Sequence, residues 1–387
     1  MNSAEIVVSI EDLLQEILIR VPIKPLSRFQ LVSKHWHSLI SNPRFCCRVR
    51  SNPAAVGIFY PPSQKYRVTE QNGHEYRYIP FGPNPNRPQK IDFTQNPYGI
   101  QFYPSCNGLL LCRTYPGYRG EPRFYVYNPT TNKFSAFPKP GGNVKEIGYM
   151  HLVFDPSKSH HYKVVCIKVV SMEKKLCQVE VYSSETRGPW VKCGGPFKAD
   201  VDIANGVYWS GAIHWLKHLY GGSVIRESLY FNPDDLHHLL AGPQIMPTPP
   251  THHRDYRCFD YYFGESCNHL HYIPMVSENT HTHFTVYEMR ADYSEWFVKY
   301  RVEGYKIMDA CWDNLKPEDS FHFYNFRILT MVRGDKEEDT FLIFKYDRKI
   351  TKYNLVSGAF ETIYEFEEYT PNDRDILFEY IESICRV

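Results

Sequence analysis

The sequence predicts a mainly β protein: a short N-terminal unit of three helices followed by a β-propeller of six blades, with five or seven also open. Three observations lead there. Aromatic residues make up 16% of the 387 residues, and 28 prolines with 22 glycines mark turns at short intervals, a mix that favours short strands over long helices. Helical periodicity is confined to residues 10–42. From about residue 55 onward, one aromatic phrase returns at a nearly constant step.

The helical head comes first. Leu13, Leu14, Ile17, Leu18 and Val21 repeat at helical spacing, with Ser9 placed to cap the helix and Glu11 and Asp12 in its first turn, where the helix dipole favours acids. Pro22 ends this helix. Pro25 suits the start of a second one carrying Leu26, Phe29 and Val32, and a third carries Trp36, Leu39 and Ile40 until Asn42-Pro43 stops it. So small a unit offers more large apolar side chains than it can bury alone. A partner or the following domain must cover them. Arg20, Lys24, Arg28, Lys34, Arg44, Arg48 and Arg50 follow Glu16 with no acid among them, a basic stripe that is either a solvated face or a guide for an acidic partner.

These residues resemble the F-box. The family pattern stands here as Asp12-Leu13-Leu14-Gln15-Glu16-Ile17-Leu18-Ile19-Arg20-Val21-Pro22, then Lys24-Pro25-Leu26-Ser27-Arg28-Phe29, then Val32-Ser33-Lys34-His35-Trp36-His37-Ser38-Leu39-Ile40 with Pro43 and Phe45 behind it. The resemblance implies docking on the adaptor Skp1, and through it on a cullin and a RING protein. It puts Ile10, Leu14, Leu18, Pro22 and Leu26 near the adaptor, with Phe29, Val32, Trp36 and Leu39 holding the helices together and completing the Skp1-binding surface. One departure is Ser9-Ile10, where the family opens with Leu-Pro; the resemblance implies a weaker adaptor contact at that point.

The body begins near residue 51, giving a head of residues 1–50 and a second domain of residues 51–387. The recurring phrase is a strand that carries an aromatic residue and then turns, and its markers are Tyr127, Tyr182, Phe231, Tyr287 and Tyr353, at steps of 55, 49, 56 and 66 residues. That is near the kelch period, and units of this size hold four strands each. Gly108–Cys112, Phe124–Tyr127 and Phe134–Phe137 read as strands of one unit. His151–Phe154, Val164–Val170, Val179–Tyr182 and Trp190-Val191 read as the next. Residues 376–384 form a last β-type run, expected to close the ring against Val56–Tyr60.

This body is also similar to the F-box-associated region of the large plant F-box family. The resemblance rests on Ser105-Cys106-Asn107-Gly108-Leu109-Leu110-Leu111-Cys112, Tyr127-Asn128-Pro129-Thr130-Thr131, Val207-Tyr208-Trp209-Ser210-Gly211-Ala212-Ile213-His214-Trp215-Leu216 and Tyr380-Ile381-Glu382-Ser383.

Several chemistries find no support. A net charge of +1 lacks the basic excess of a nucleic-acid binder. No run of 18 apolar residues crosses a membrane, and Glu5, Glu11, Asp12 and Glu16 interrupt anything like a secretory leader. The 11 cysteines contain no Cys-x-x-Cys pair, which points to a reducing compartment, cytoplasm or nucleus. Eight of the 17 histidines fall between His237 and His283, yet they match no closed metal set, and His269 with His271 read as strand residues sharing one face. No nucleophile elbow, phosphate loop or zinc-protease motif appears. No cofactor or metal is expected. Tyr66-Arg67, Tyr76-Arg77-Tyr78 and Tyr256-Arg257 interleave aromatics with cations as RNA binders do, but within blades such pairs are cross-strand contacts. Late acids from Glu361 to Glu382 read as a solvated face.

The expected function is therefore a non-catalytic, substrate-recognition adaptor of a Skp1-cullin-F-box ubiquitin ligase, with a protein substrate held by propeller loops, residues 61–90 and 242–260 foremost. A Skp1-bound scaffold or inhibitor outside ubiquitin transfer, and a propeller enzyme, are the alternatives.

Overall fold

The computed structural model describes residues 11–49, 54–60, 76–82, 99–114, 120–142, 147–198, 203–219, 222–250, 260–275, 284–303, 307, 326–334, 336–346, 348–367 and 377–387. The head comprises α1 (Glu11–Leu18), α2 (Ile23–Phe29), α3 (Lys34–Ile40) and α4 (Pro43–Arg48). Pro22 separates α1 from α2 and serves as the N-cap of α2. Pro25 falls at the third position of α2 rather than the first, which costs no hydrogen bond because the first four helical N–H groups have no partner within the helix. Ser33 caps α3, its Oγ accepting from Trp36 N at 3.2 Å. Asn42-Pro43 does more than end α3: the Asn42 Oδ1 accepts from Arg44 N at 2.9 Å and opens the short α4. A cap and a proline at the first turn mark a start as well as a stop.

Six antiparallel sheets follow. The first joins β1 (Gly57–Tyr60) and β2 (Arg77–Pro80) to the last strand of the chain, β23 (Phe378–Tyr380). The second holds β3 (Ile100–Phe102), β4 (Leu110–Thr114), β5 (Phe124–Asn128) and β6 (Lys133–Phe137); the third holds β7 (Ile147–Val153), β8 (Lys163–Ser171), β9 (Leu176–Ser183) and β10 (Val191–Lys198). The fourth holds β11 (Val207–Trp209), β12 (Ala212–Leu219), β13 (Gly222–Phe231) and β14 (Gln244–Met246), with a small helix, α5 (Leu236–Ala241), packed on β10. The fifth holds β15 (Asp260–Ser266), β16 (His269–Met275), β17 (Phe284–Met289) and β18 (Trp296–Val302). The sixth holds β19 (Phe326–Val332), β20 (Phe341–Tyr346), β21 (Lys349–Asn354) and β22 (Phe360–Glu365). The other five are meanders of sequence-adjacent strands, and first strands of successive sheets meet, β7 against β11, β11 against β15, β15 against β19. This is a six-bladed propeller.

The five repeat markers occupy the third strands β5, β9, β13, β17 and β21. In β5 and β9, neighbouring blades cover both faces, so the strands are buried along nearly their whole length. Continuous apolar runs replace alternation there. Ring closure joins the two ends of the body: Gly57 pairs with Tyr380, Ile58 with Glu379 and Phe59 with Phe378. Among the described residues of the expected closing run, 378–380 form ladder bonds; Ile381, Ile384 and Cys385 beyond them are buried without being strand.

The head sits on this ring. Leu14, Leu18 and Leu26 share one apolar cluster with Tyr103, Phe154 and Ile384 of the body, and Lys24 Nζ meets Glu382 at 3.1 Å. Glu382, expected on a solvated acidic face, thus ties the C-terminal segment to α2.

Candidate functional site

On α1 two apolar stripes lie side by side. Leu14 and Leu18, four residues apart, turn inward and are buried, whereas Leu13 and Ile17, also four apart, are 45% and 46% exposed. The turn after α2 adds Leu31 at 87% and Val32 at 61%. Of the residues that the sequence assigns to adaptor binding, Leu14, Leu18, Leu26 and Leu39 are buried within this chain. Phe29 and Trp36 pack edge to face at 5.5 Å and are partly buried, and Pro22 and Val32 are exposed. Ile10 and the cap residue Ser9 lie outside the described residues. The sequence does not mark Leu13, Ile17 and Leu31 as contacts, because helical spacing alone does not say which of two adjacent stripes a neighbouring domain will cover.

Residues 11–48 match the F-box domain family, and residues 69–226 match the F-box associated beta propeller domain family. The chain is an F-box protein with an F-box-associated propeller. It is similar to the F-box protein At5g07610 of Arabidopsis thaliana, at 29% identity over 421 residues that span all of this chain and 94% of that one. The putative F-box protein At3g10240 of the same plant is 28% identical over 162 residues, 41% of this chain and 40% of that one. Among solved structures, a chain of a nidogen/laminin complex covers 84% of this chain and 99% of its own length at TM-score 0.39 and 8% identity.

In this F-box protein three of the propeller phrases, those of Asn107, Asn128 and Ser383, meet at one place. Asn107 and Gly108, at φ 46° and 84°, form the turn that bridges Cys106 to Leu109, as Asn-Gly turns do. A Cβ at Gly108 would collide with Ser383 Cβ and the Ile381 carbonyl. Asn128 Nδ2 donates to the carbonyls of Ser383 and Cys385 at 2.9 and 2.8 Å, while its Oδ1 accepts from Thr130 N and Thr131 N. Thr130 Oγ1 lies 3.1 Å from Tyr380 Oη and accepts from Ser383 N at 3.0 Å. These phrases build the clasp that holds the C-terminal segment under the head.

The remaining sequence candidates are structural in the described residues. His269 and His271 share a face of β16, with His269 Nδ1 at 2.8 Å from Glu288 Oε1 and His271 Nε2 at 3.4 Å from Oε2. Arg333, just past β19, reaches the same carboxylate at 2.9 Å and joins blades five and six. Burial opposes ionisation of Glu288, but the His269 hydrogen bond and the two imidazoles beside it outweigh burial and hold the carboxyl well below its usual range; burial pushes the His271 imidazole down. No group of three or more His, Cys, Asp or Glu among the described residues is placed to hold a metal. Tyr76 stacks on Phe102 at 4.1 Å and Arg77 lies over the Tyr364 ring at 5.3 Å, so this basic-aromatic phrase stitches blades together. Tyr66-Arg67, Tyr256-Arg257, His252, His253, His281 and His283 lie outside the described residues. So do the loops expected to meet a substrate, except residues 76–82, 242–250 and 260.

Proposed function

We propose that this F-box protein is the substrate-recognition subunit of a Skp1-cullin-F-box ubiquitin ligase, working in the cytoplasm or nucleus. A Skp1-like adaptor docks on the F-box, bringing cullin and RING protein with it, and the propeller holds a protein substrate. The observation that carries this reading is the division of α1. Its inner stripe is committed to the propeller, and its outer stripe stays in water, as do Leu31 and Val32 after α2. Four large apolar side chains left in water within the short head support an interaction site there, each contributing about 1.5–3 kcal/mol on full burial. The chain supplies no chemistry of its own in this reading; it raises the effective concentration of substrate near a separate enzyme.

Co-purification of the full chain with a plant Skp1 tests the head, and reconstituted ubiquitin transfer tests the whole. Ile17→Asp with Val32→Asp is expected to abolish Skp1 capture while leaving the fold intact. Capture that survives this pair, or that does not need residues 1–50, would overturn the assignment.

A further inference from the structure

Antiparallel blades send their connections alternately to two ends of the ring. The head and the C-terminal segment take the end that carries the β3–β4 and β5–β6 turns, where Asn107 and Asn128 build the clasp. The β8–β9 hairpin turns at the opposite end, since β8 starts at Lys163, next to Tyr162 of the cluster beneath the head, and runs away from it to Ser171. Its tip leaves two large apolar side chains in water: Met172 is 81% exposed and Val170 57%.

A bulge puts Val170 there. Val169 pairs with Cys177 and Ser171 with Leu176, which leaves Val170 as an extra residue in β8, and such a bulge re-aims a side chain. Leu176 pairs in turn with Lys198 of β10. Directly opposed residues share a face, so Ser171, Leu176 and Lys198 form one rung across three strands about 4.8 Å apart, with Val170 at its end. The turn beyond is closed. Lys175 N donates to the Met172 carbonyl and Lys174 N to Ser171 Oγ, both at 3.2 Å, and Lys175 takes a φ of 50°. Below the rung, buried Lys168 meets Glu180 at 2.6 Å and donates to the Gly141 carbonyl, while Gln178 donates to the Cys193 carbonyl at 2.9 Å. The apolar side chains therefore stand on a backbone that is already ordered, which lowers the cost of docking on them.

Charge surrounds them unevenly. Lys174, Lys175 and Lys198 are exposed, with Glu173 the acid among them. Of the other acids described at this end of blades two and three, Glu121 is paired with Lys139 at 2.8 Å and Glu180 is buried against Lys168. In a chain of net charge +1 this is a local basic excess.

We propose that this tip and rung dock a segment of the protein substrate in which a large apolar side chain is flanked by carboxylates. The apolar group lies against Met172 and Val170, and the acids face Lys174, Lys175 and Lys198. This rests on reading the propeller as the substrate-binding half. Charge complementarity decides the class of partner. Three lysines beside two apolar residues attract an acidic chain, whereas a lipid surface calls for about 4–8 clustered cations. Residues 170–176 include no aromatic ring on which a nucleic-acid base would stack.

The test uses the purified full chain and the fluorescently labelled peptide Glu-Glu-Phe-Leu-Glu-Glu, followed by anisotropy. Two controls each remove one half of the recognition: Gln-Gln-Phe-Leu-Gln-Gln lacks the charge, and Glu-Glu-Gly-Gly-Glu-Glu lacks the apolar pair. Each control is expected to bind at least about tenfold more weakly, and added salt should weaken the acidic peptide. Val170→Ser with Met172→Ser, and separately Lys174→Glu with Lys198→Glu, should each cost at least about tenfold in affinity. The thermal transition should stay in place, since all four side chains are exposed. Equal binding of the three peptides, or binding that survives both double variants in folded protein, overturns the proposal. So does tighter binding to phosphatidylserine vesicles than to the peptide, which would make this a lipid-binding surface. Fusing the acidic peptide to a carrier protein and following its modification in the reconstituted ligase tells this surface apart from the reading beneath it. A fusion that binds but gains no ubiquitin leaves the surface standing and counts against substrate recognition.

Discussion

Asn128 uses all of its hydrogen-bonding capacity to fasten two parts of the chain more than 250 residues apart. Replacing it with Ala strands two carbonyls and two N–H groups in a site where Asn128 itself is fully buried, and each buried group left unpaired costs about 1–3 kcal/mol. Asn128→Ala should therefore lower stability by about 2–4 kcal/mol in urea unfolding, and a change under about 0.5 kcal/mol would refute the clasp. Gly108→Ala acts at the same place by another route. Its φ of 84° disfavours any side chain, and the Ile381 carbonyl occupies the Cβ position. The expected loss is about 1–3 kcal/mol from backbone strain, with the C-terminal segment becoming sensitive to protease.

At the scale of elements, α1 makes the sharpest prediction. Leu14 and Ile17 are both apolar and lie one helical turn apart, yet their substitution should give opposite phenotypes. Leu14→Asp buries a charge in the cluster shared by head and propeller and should melt the head, seen as lost helical signal and aggregation. Ile17→Asp should leave the thermal transition within a few degrees of wild type and remove only adaptor capture. The last residues behave as an element too, since Ile384 and Cys385 are buried beneath the head. Removing residues 381–387 uncovers that cluster and should yield insoluble protein; a soluble, normally folded truncation would show the segment to be dispensable. The Lys24–Glu382 pair, partly exposed, contributes little to this docking. Apolar burial provides most of it.

For the whole molecule, two sets of buried groups pull the pH dependence in opposite directions. Burial depresses His151 to about 4, against the Ile203 carbonyl, and His214 to about 3, against the Val207 and Ala212 carbonyls. The unfolded chain takes up these protons below about 6.5, so their stabilisation is complete above that pH and is lost as acid is added down to about 3. Glu265 and Glu379 run the other way. The folded state keeps their protons while the unfolded state releases them above about 4.5, so stability is lost as pH rises through 7 and 8. Above pH 6.5 only the carboxyls of these four groups still differ between the states. Denaturant unfolding should therefore show a fall of about 1–2 kcal/mol between pH 6.5 and 8.5, smaller in Glu265→Gln and absent when Glu379→Gln is added. A flat profile would show that neither carboxyl is held protonated in the folded protein.

Much of this was readable from one dimension. The aromatic step marked the third strand of five blades because strands covered on both faces must be apolar throughout, and the F-box phrases lay in consecutive helices whose caps and prolines are local signals. Asn42-Pro43 was half read, since the same two residues stop one helix and start another. Which stripe of α1 faces water, why Glu382 leaves the acidic tail for an ion pair with Lys24 and Glu379 for the Thr330 hydroxyl, and how Asn128 meets Ser383 were decided only in three dimensions. Those facts depend on which distant surfaces ring closure brings together. Local periodicity fixes an element and its two faces, but the choice of face belongs to the neighbour that covers it.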